Sequence, residues 1–506
     1  MVGLEYFMKL ATKEFLSEID AKALEMKNRI LNSESKYPTD GTVYYVSENG
    51  DDANDGLSPA TAVRTLAKAS NLPFEKGDTI LLERGGVFRG HLIIKVENIT
   101  VSAYGKGPKP VINGSPENGA KPHYWSLLEG TDNIYVYYKP LCEIGGICFD
   151  DGKKAAIKVT PHFIDGRYSN PDKTVFDVKS GLTDNYSFFC EICTEIVNGF
   201  PAIHDFEKHL GKLYLRCDEG NPGEVFESIE FFARGNTIGP CADYLTVDNI
   251  CLKYCGTHSI GCGNRNGLTV RNTEIGWGGG CVQFYTNTGY PVRFGNGIEI
   301  YVGCKDFTVE NCYIYQIYDA GVTHQYKDGP ADGPTCKHEN VTYRNNLIEY
   351  CIYNIEYFLE QTGHEDQIMK NVIMEGNILR FAGYGWGSYY TRAAHIKGWD
   401  HRNISENFVI RNNIFDRSRS MVLHCGVQEA KHLPVMSGNT YIHFADDKHN
   451  LGRFGERGCT NAIWPSERLE YNDENILNVA KDDGAEIYYV TEEHECPGFW
   501  PSGMSK

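Results

Sequence analysis

Leu245-Thr-Val-Asp-Asn249 comes back as Leu268-Thr-Val-Arg-Asn272, Phe307-Thr-Val-Glu-Asn311, Val341-Thr-Tyr-Arg-Asn345, Phe408-Val-Ile-Arg-Asn412 and Val435-Met-Ser-Gly-Asn439. A phrase starting at Val372 belongs to the series, with Gly376 in the Asn slot and Asn377 after it. The starts are spaced 23 to 39 residues apart, a period that signals a solenoid. Each phrase alternates apolar and polar residues, as a half-buried strand does, and a stack of such strands is a parallel β-helix. The closing residues Asn249, Asn272, Asn311, Asn345, Asn412 and Asn439 read as scaffold: a stacked Asn hydrogen-bonds the next rung and tolerates left-handed backbone.

At 506 residues the chain exceeds what one compact core organises, and the repeat favours a quasi-one-dimensional solenoid. Gly is abundant at 53, and 32 Tyr far outnumber 6 Trp, a composition suited to short strands, tight turns and wet aromatic surfaces. The net charge of −18 repels nucleic acid, anionic membranes and polyanionic glycans, so a neutral partner is expected and a homo-oligomer stays open. There is no signal-peptide pattern and no run of about 18 apolar residues. The 17 Cys are spread through repeat strands as small apolar fillers without zinc-site spacing. Reduced thiols and a cytoplasmic location are the expectation.

Working outward, residues 4–31 carry apolar side chains at helical spacing, which predicts an amphipathic helix lying over the first rung. The expected organisation is an N-terminal helix and cap over 1–40, first β-helix rungs over 41–114 and an inserted β-sandwich-like domain over 115–240. The main β-helix with the active-site loops follows over 241–445, and a C-terminal cap over 446–506. The loop Asn49-Gly-Asp-Asp-Ala-Asn-Asp-Gly56 is rich in oxygen ligands, but its order does not fit the twelve-residue calcium loop. Turn chemistry is the preferred reading; no cofactor is expected, and Ca²⁺ is the only one considered.

Tyr44-Tyr-Val-Ser-Glu-Asn-Gly-Asp-Asp-Ala-Asn-Asp-Gly-Leu-Ser-Pro59, then Thr65-Leu66 and Gly77-Asp-Thr-Ile80, resemble the opening of right-handed parallel β-helix proteins of the pectate-lyase-like superfamily. The resemblance covers most of residues 42–445. It implies the fold more firmly than the activity, because the superfamily includes lyases, glycoside hydrolases, epimerases and phage tailspikes. An insert between early and late rungs resembles the layout of β-helix glycoside hydrolases, such as those acting on xylosides and fucosides. Phe294-Gly-Asn-Gly-Ile-Glu299, Ile317-Tyr-Asp-Ala-Gly-Val-Thr-His-Gln325 and Tyr353-Asn-Ile-Glu-Tyr357 look like a signature shared by glycosidase-like β-helix proteins.

The strand after each phrase aligns on an apolar pair: Ser259-Ile-Gly261, Cys281-Val-Gln283, Gly321-Val-Thr323, Asn354-Ile-Glu356 and Met421-Val-Leu423. Glu299 and Glu356 then lie between inward residues and point outward, with Asp319 nearby. Carboxylates converging on an outer face suit glycoside hydrolysis, which needs one protonated acid and one ionised nucleophile or base. Asp319 and Glu356 are the preferred catalytic pair, with Glu299 in reserve. Gln283, His324, Gln325, His395 and His424 are candidate polar contacts to substrate. Trp277, Trp386, Tyr390 and Trp399, with Tyr389, are candidate sugar-stacking rings, though each also has a packing reading. His324, His364, His395 and His424 are scattered without helical i, i+4 pairing, so no metal site is assigned.

The expectation is an exo-acting glycosidase on neutral oligosaccharides or glycosides, with xylosides, fucosides and galactosides as the sugars considered. A lyase acting on a uronate-containing glycan is the runner-up and would draw on Arg344, Lys370, Arg392, Lys397 or Arg411. A non-catalytic glycan-binding solenoid stands third. It fits short uniform loops, whereas those at 286–296, 327–340, 360–371 and 387–403 are long.

Overall fold

The computed structural model describes residues 8–192, 210–326, 336–359, 367–387, 392–398, 403–427, 429–456 and 468–491, and the backbone of the two short strands Ile196–Val197 and Phe200–Pro201. The repeated phrases are strands stacked in parallel, with Val247, Val270, Val309, Tyr343, Met374, Ile410 and Met436 paired rung to rung. These side chains are buried in one continuous core, and each is worth roughly 1.5–3 kcal/mol on burial. We call this face of the coil the phrase sheet. Next in each turn comes a flank sheet, which includes Tyr313–Ile317, Leu347–Glu349, Ile378–Arg380 and Ile414–Asp416. A site sheet follows: Ile260–Asn266, the first half of Ile298–Glu310, Ala320–Tyr326, Tyr353–Leu359, Ala394–Gly398, Met421–Val427 and Asn450–Glu456. The protein is a parallel β-helix.

The corner after each phrase needs left-handed backbone: φ is 60° at Asn249, 51° at Asn272, 51° at Asn311, 54° at Asn345 and 56° at Asn412. Glycine fills the same corner at Gly376 and Gly438, with φ of 64° and 63°, which explains why those two phrases defer their Asn by one residue. The Asn-to-Asn hydrogen bonds between rungs, however, belong to the next residue. Asn346, Asn377, Asn413 and Asn439 form a buried ladder in which the amide oxygens of Asn377, Asn413 and Asn439 each accept the backbone N–H and side-chain N–H of the Asn one rung before, and that of Asn346 accepts Cys312 N–H. Asn439 ends the ladder by donating to Asp482 Oδ2 at 2.7 Å. The corner Asn mainly shapes the backbone, although Asn272 Nδ2 also donates to Asp248 Oδ1 on the adjacent rung at 2.8 Å; the continuous ladder is carried by the following residue, and of the expected Asn set Asn439 alone lies on it.

The helix Lys13–Leu31 is capped by Thr12, whose Oγ1 accepts the Phe15 N–H at 3.2 Å. It does not lie over the first rung. Leu16 and Ile19 pack on Ile442, Phe444 and Val490, and Ala23 and Ile30 on Tyr313, Leu347 and Ile378, so the helix runs along the flank sheet across several rungs. That sheet offers outward apolar residues, and an amphipathic stripe follows them. In the loop at 50–56 the carboxylates serve turns: Asp52 accepts the Arg64 and Thr65 N–H groups at 2.9 Å each, and Asp55 accepts Leu57 N–H at 3.0 Å.

Between the early and late rungs the chain leaves the coil and returns. Ile238–Pro240 pairs directly with Leu92–Ile94, Thr246–Asp248 with Thr100–Tyr104, and Cys251–Lys253 with Val111–Asn113, so the solenoid resumes at Ile238. The excursion holds a five-stranded sheet running Ile157–Lys158, Ser187–Cys190, Leu213–Arg216, Ile134–Tyr137, Trp125–Leu127, and a three-stranded antiparallel sheet centred on Ile144–Phe149. One apolar cluster containing Trp125, Phe149, Phe188, Leu215 and Phe231 joins them. At the far end, Asn450–Glu456 still stacks on Met421–Val427 and Glu486–Val490 on Thr440–Phe444. All cysteines among the described residues are free thiols, most of them buried.

Candidate active site

In the site sheet the buried residues Ile260, Ile298, Val322, Ile355, Ile396 and Leu423 stack inward, which turns their neighbours outward. The outer row reads Gly261, Glu299, Thr323, Glu356, Lys397, His424, Arg453, one residue per rung. With rungs about 4.8 Å apart, the backbones of Glu299 and Glu356 stand roughly 10 Å apart, with Thr323 between. Exposure falls along the row: the Glu299 side chain is 12% exposed, whereas Thr323, Glu356, Lys397, His424 and Arg453 are all at 4% or less. The Thr323 hydroxyl is buried without a hydrogen-bond partner among the described residues.

Asp319 occupies the turn that enters the Thr323 strand. Its N–H donates to Gly295 O and its carbonyl accepts Tyr353 N–H, both at 3.1 Å. Burial, then the charges of Glu356 and Glu299, push its carboxyl well above the usual carboxylate range, with Lys397 opposing. Lys397 lies with Nζ 4.0 Å from Glu356 Oε1 and 3.7 Å from the centroid of the Tyr353 ring.

Glu299 is held differently. Its Oε2 accepts from Asn296 Nδ2 at 2.5 Å and Gln325 Nε2 at 2.6 Å, and its Oε1 faces His258 Nε2 at 3.4 Å. Because Asn296 N–H donates to His258 Nδ1 at 3.1 Å, a neutral His258 carries its proton on Nε2, directed at Glu299. Asn296 Oδ1 also accepts Ala320 N–H at 2.8 Å, so one residue ties the Glu299 carboxylate to the turn bearing Asp319.

Asp319, Glu356 and Glu299 thus come together, with Gln325 beside them and His424 further along the row. Other expected contacts are corrected. His324 points into the coil, with Nδ1 2.7 Å from Tyr343 Oη, and is fully buried; it is an even position of a strand whose odd positions face out. His395 is also interior, stacked on Phe415 and 3.0 Å from Asn354 Nδ2, and burial pushes it down to about 3. Trp277 and Trp386 are buried with Cys148, Phe232 and Tyr318 where the insert meets the coil, so they are packing rather than platform. Gln283 is exposed on an antiparallel hairpin, Cys281–Tyr285 with Pro291–Phe294, which is no rung at all. The strand that stacks on Ile260 is the one beginning at Ile298, and Leu423 rather than Val422 continues the inward line. Tyr390 and Trp399, with Tyr389 and His364, lie outside the described residues.

His258, Asn296, Thr323 and Arg453 were missed, and Lys397 was named only as a cation available to a lyase. The strand parity that found Glu356 would have found Lys397 had Ile396 been aligned as a rung. Of the cations set aside for a lyase, Arg344 and Arg411 each bind Glu375 at 2.6 Å and Lys370 pairs with Glu406 at 3.2 Å. Lys397 is the member of that set in the row.

No family model matches the chain. A lacto-N-biosidase of Bifidobacterium longum subsp. longum is 39% identical over 97 residues, which are 17% of this chain and only 6% of that protein. Among solved structures, XylC in complex with xylose is similar at 14% identity and a TM-score of 0.42, over 85% of this chain and 74% of that one. A GH136 lacto-N-biosidase from Eubacterium ramulus is similar at 14% identity and a TM-score of 0.41, over 94% and 70% of the two chains. None of these likenesses carries an activity across to this chain.

Proposed function

We propose that the protein is an exo-acting glycoside hydrolase for neutral oligosaccharides or glycosides, with Asp319 as general acid and Glu356 as nucleophile or base. One observation carries the reading: burial and the charge of Glu356 drive the Asp319 carboxyl toward the acid form, and Glu356 itself has Lys397 Nζ 4.0 Å from its Oε1. A carboxyl held in its acid form beside a second carboxyl is what glycosidic cleavage requires. Asp319 gives its proton to the leaving oxygen as the C1–O bond breaks, while Glu356 either bonds to C1 or takes a proton from the water that does. Glu299, fixed by Asn296 and Gln325, is placed to accept hydrogen bonds from sugar hydroxyls. The 97-residue likeness to a lacto-N-biosidase supports a glycan substrate, and the reaction needs no cofactor.

A panel of aryl glycosides tests the reading. Release of aglycone by the wild type, lost in both Asp319→Asn and Glu356→Gln, supports it; full activity in either variant rejects the pair. Lys397, His424 and Arg453 in the same row favour a uronate lyase as the second reading. It predicts growth of absorbance at about 235 nm on a polyuronate, as expected of elimination by a base. Glycan binding without turnover would leave the non-catalytic solenoid. Among the described residues no helix is long and apolar enough to cross a membrane, and we infer a cytoplasmic protein from the sequence pattern alone.

A further inference from the structure

Glu143 lies in the insert, just before the strand Ile144–Phe149, and its side chain is 1% exposed. A carboxylate buried so deeply must be paid for in partners. Its Oε1 accepts from Lys158 Nζ at 2.6 Å and from Val282 N–H at 2.7 Å, and its Oε2 accepts from Arg234 Nη1 at 2.6 Å. Lys158 belongs to the insert and Arg234 to the segment returning from it, but Val282 belongs to the hairpin 281–294, which grows out of the solenoid. Arg234 Nη1 also donates to Val282 O at 2.7 Å, so both backbone groups of Val282 are held by the buried ionic cluster.

The opposite strand of the hairpin is held as well. Arg293, paired with Val282 in the hairpin ladder, donates to Gly280 O at 2.7 Å and to Gly145 O of the insert at 3.0 Å. Its guanidinium lies 4.3 Å over the ring of Tyr318, the residue before Asp319. The hairpin ends at Phe294 and runs at once into Gly295 and Asn296. Gly295 O accepts Asp319 N–H, Asn296 Oδ1 accepts Ala320 N–H, and Asn296 Nδ2 donates to Glu299. A Cβ on Gly295 would sit 2.2 Å from Gly279 Cα, so this link is packed too closely to drift without moving the hairpin base.

We propose that the insert is a working part of the candidate active site, with Glu143 and Arg293 as positioning residues that set Asp319 and Glu299 through the hairpin and the Gly295-Asn296 link. Neither residue touches substrate. The inference rests on the reading of Asp319 and Glu299 as site residues, but the contact path it describes can be measured without any substrate.

The test uses the full chain with Arg293→Met, which leaves the Glu143 cluster intact, and Glu143→Gln. Hydrogen exchange is followed at the Asp319 and Ala320 amides, with Met374 on the phrase sheet as a distant reference. The expected result is exchange at least tenfold faster at Asp319 and Ala320 in the folded variants, with Met374 unchanged. For a cleavable aryl glycoside, kcat per folded molecule, with the folded fraction measured separately by near-UV circular dichroism, should fall at least tenfold with little change in KM. Wild-type exchange at Asp319 and Ala320 in folded Arg293→Met would overturn the proposal. If Glu143→Gln does not fold because Lys158 and Arg234 lose their anion, Arg293→Met decides alone. Should the wild type cleave no glycoside, the functional reading fails, and the exchange result still settles the positioning path.

Discussion

Replacing Asn377 by Ala should cost far more stability than replacing Asn345 by Ala, although Asn345 is the residue that recurs in the sequence phrase. Asn377 Oδ1 accepts both Asn346 N–H and Asn346 Nδ2–H at 3.0 Å, and its own Nδ2 donates to Tyr343 O and Asn413 Oδ1 at 2.9 Å. Alanine leaves the Asn346 N–H orphaned in the core and strips one partner from each of the others. At about 1–3 kcal/mol for a buried group left unsatisfied, with partial losses for the rest, the total is about 3–5 kcal/mol. Asn345 has φ 54°, and alanine there loses only part of a left-handed penalty of about 1–2 kcal/mol. Asn345→Gly should be close to neutral. A solenoid need not unfold in one step, so the measurement is native-state hydrogen exchange of the Val341 to Arg344 amides alongside urea unfolding. Equal costs for the two alanine variants, or a larger cost at Asn345, would refute the ladder as the source of rung stability.

Further outcomes concern the site. Asp319 has a raised folded-state carboxyl, so its contribution to stability is complete at acid pH and is lost as pH rises through the folded value. Asp319→Asn should therefore raise the thermal midpoint at neutral and mildly alkaline pH, with the gain shrinking toward pH 4, as read by calorimetry at several pH values. Lys397→Met removes the charge that opposes protonation of Asp319, and should move the alkaline limb of the rate profile to higher pH; no movement, or the opposite, argues against Asp319 as the acid. His324→Leu should change thermal stability while leaving KM within error, because the ring faces Tyr343 inside the coil. Trp386→Ala should destabilise by about 3–5 kcal/mol through the cavity it leaves, measured by denaturant unfolding, before any change in KM is seen in the folded fraction.

The phrase strands and the outward direction of Glu299 and Glu356 could be read from the sequence because both follow from strand alternation, which is local. Asp319 could be placed because it sits one turn before a strand whose inward residue, Val322, is unambiguous. Elsewhere the alignment slipped. Cys281-Val-Gln283 has the apolar pattern of a rung, yet Gly279 and Gly280, with φ of 93° each, turn the chain out into a hairpin, and the true rung begins only at Ile298. The rung at Ile396 follows the phrase whose Asn slot holds Gly376, and its strand Ala394–Gly398 was not aligned with the others, so Lys397 was not counted as part of the row. Trp277, at the end of the strand Glu274–Gly278, and Trp386 sit in glycine-rich stretches that resemble open loops until the insert is known to cover them. Burial by a segment more than a hundred residues distant leaves no periodic signal. His258 and Asn296 were hidden for a related reason: their roles depend on which tautomer and which amide edge face Glu299, and neither has a sequence signature.

The way the chain leaves and re-enters the coil bears on the order in which it is made. Val111 pairs with Cys251, 140 residues later, and Leu92 with Ile238, 146 residues later. During synthesis the early strands Leu92–Ile94 and Val111–Asn113 emerge with one edge unpaired, and wait while the whole insert follows. An apolar strand edge left open is a template for another chain, and closing so long a loop is slow. The insert has an apolar cluster of its own and can collapse in that interval, bringing its two ends back side by side. Substitutions in the insert core, far from any carboxylate, would then show first as aggregation of nascent chains, even where the finished molecule is sound.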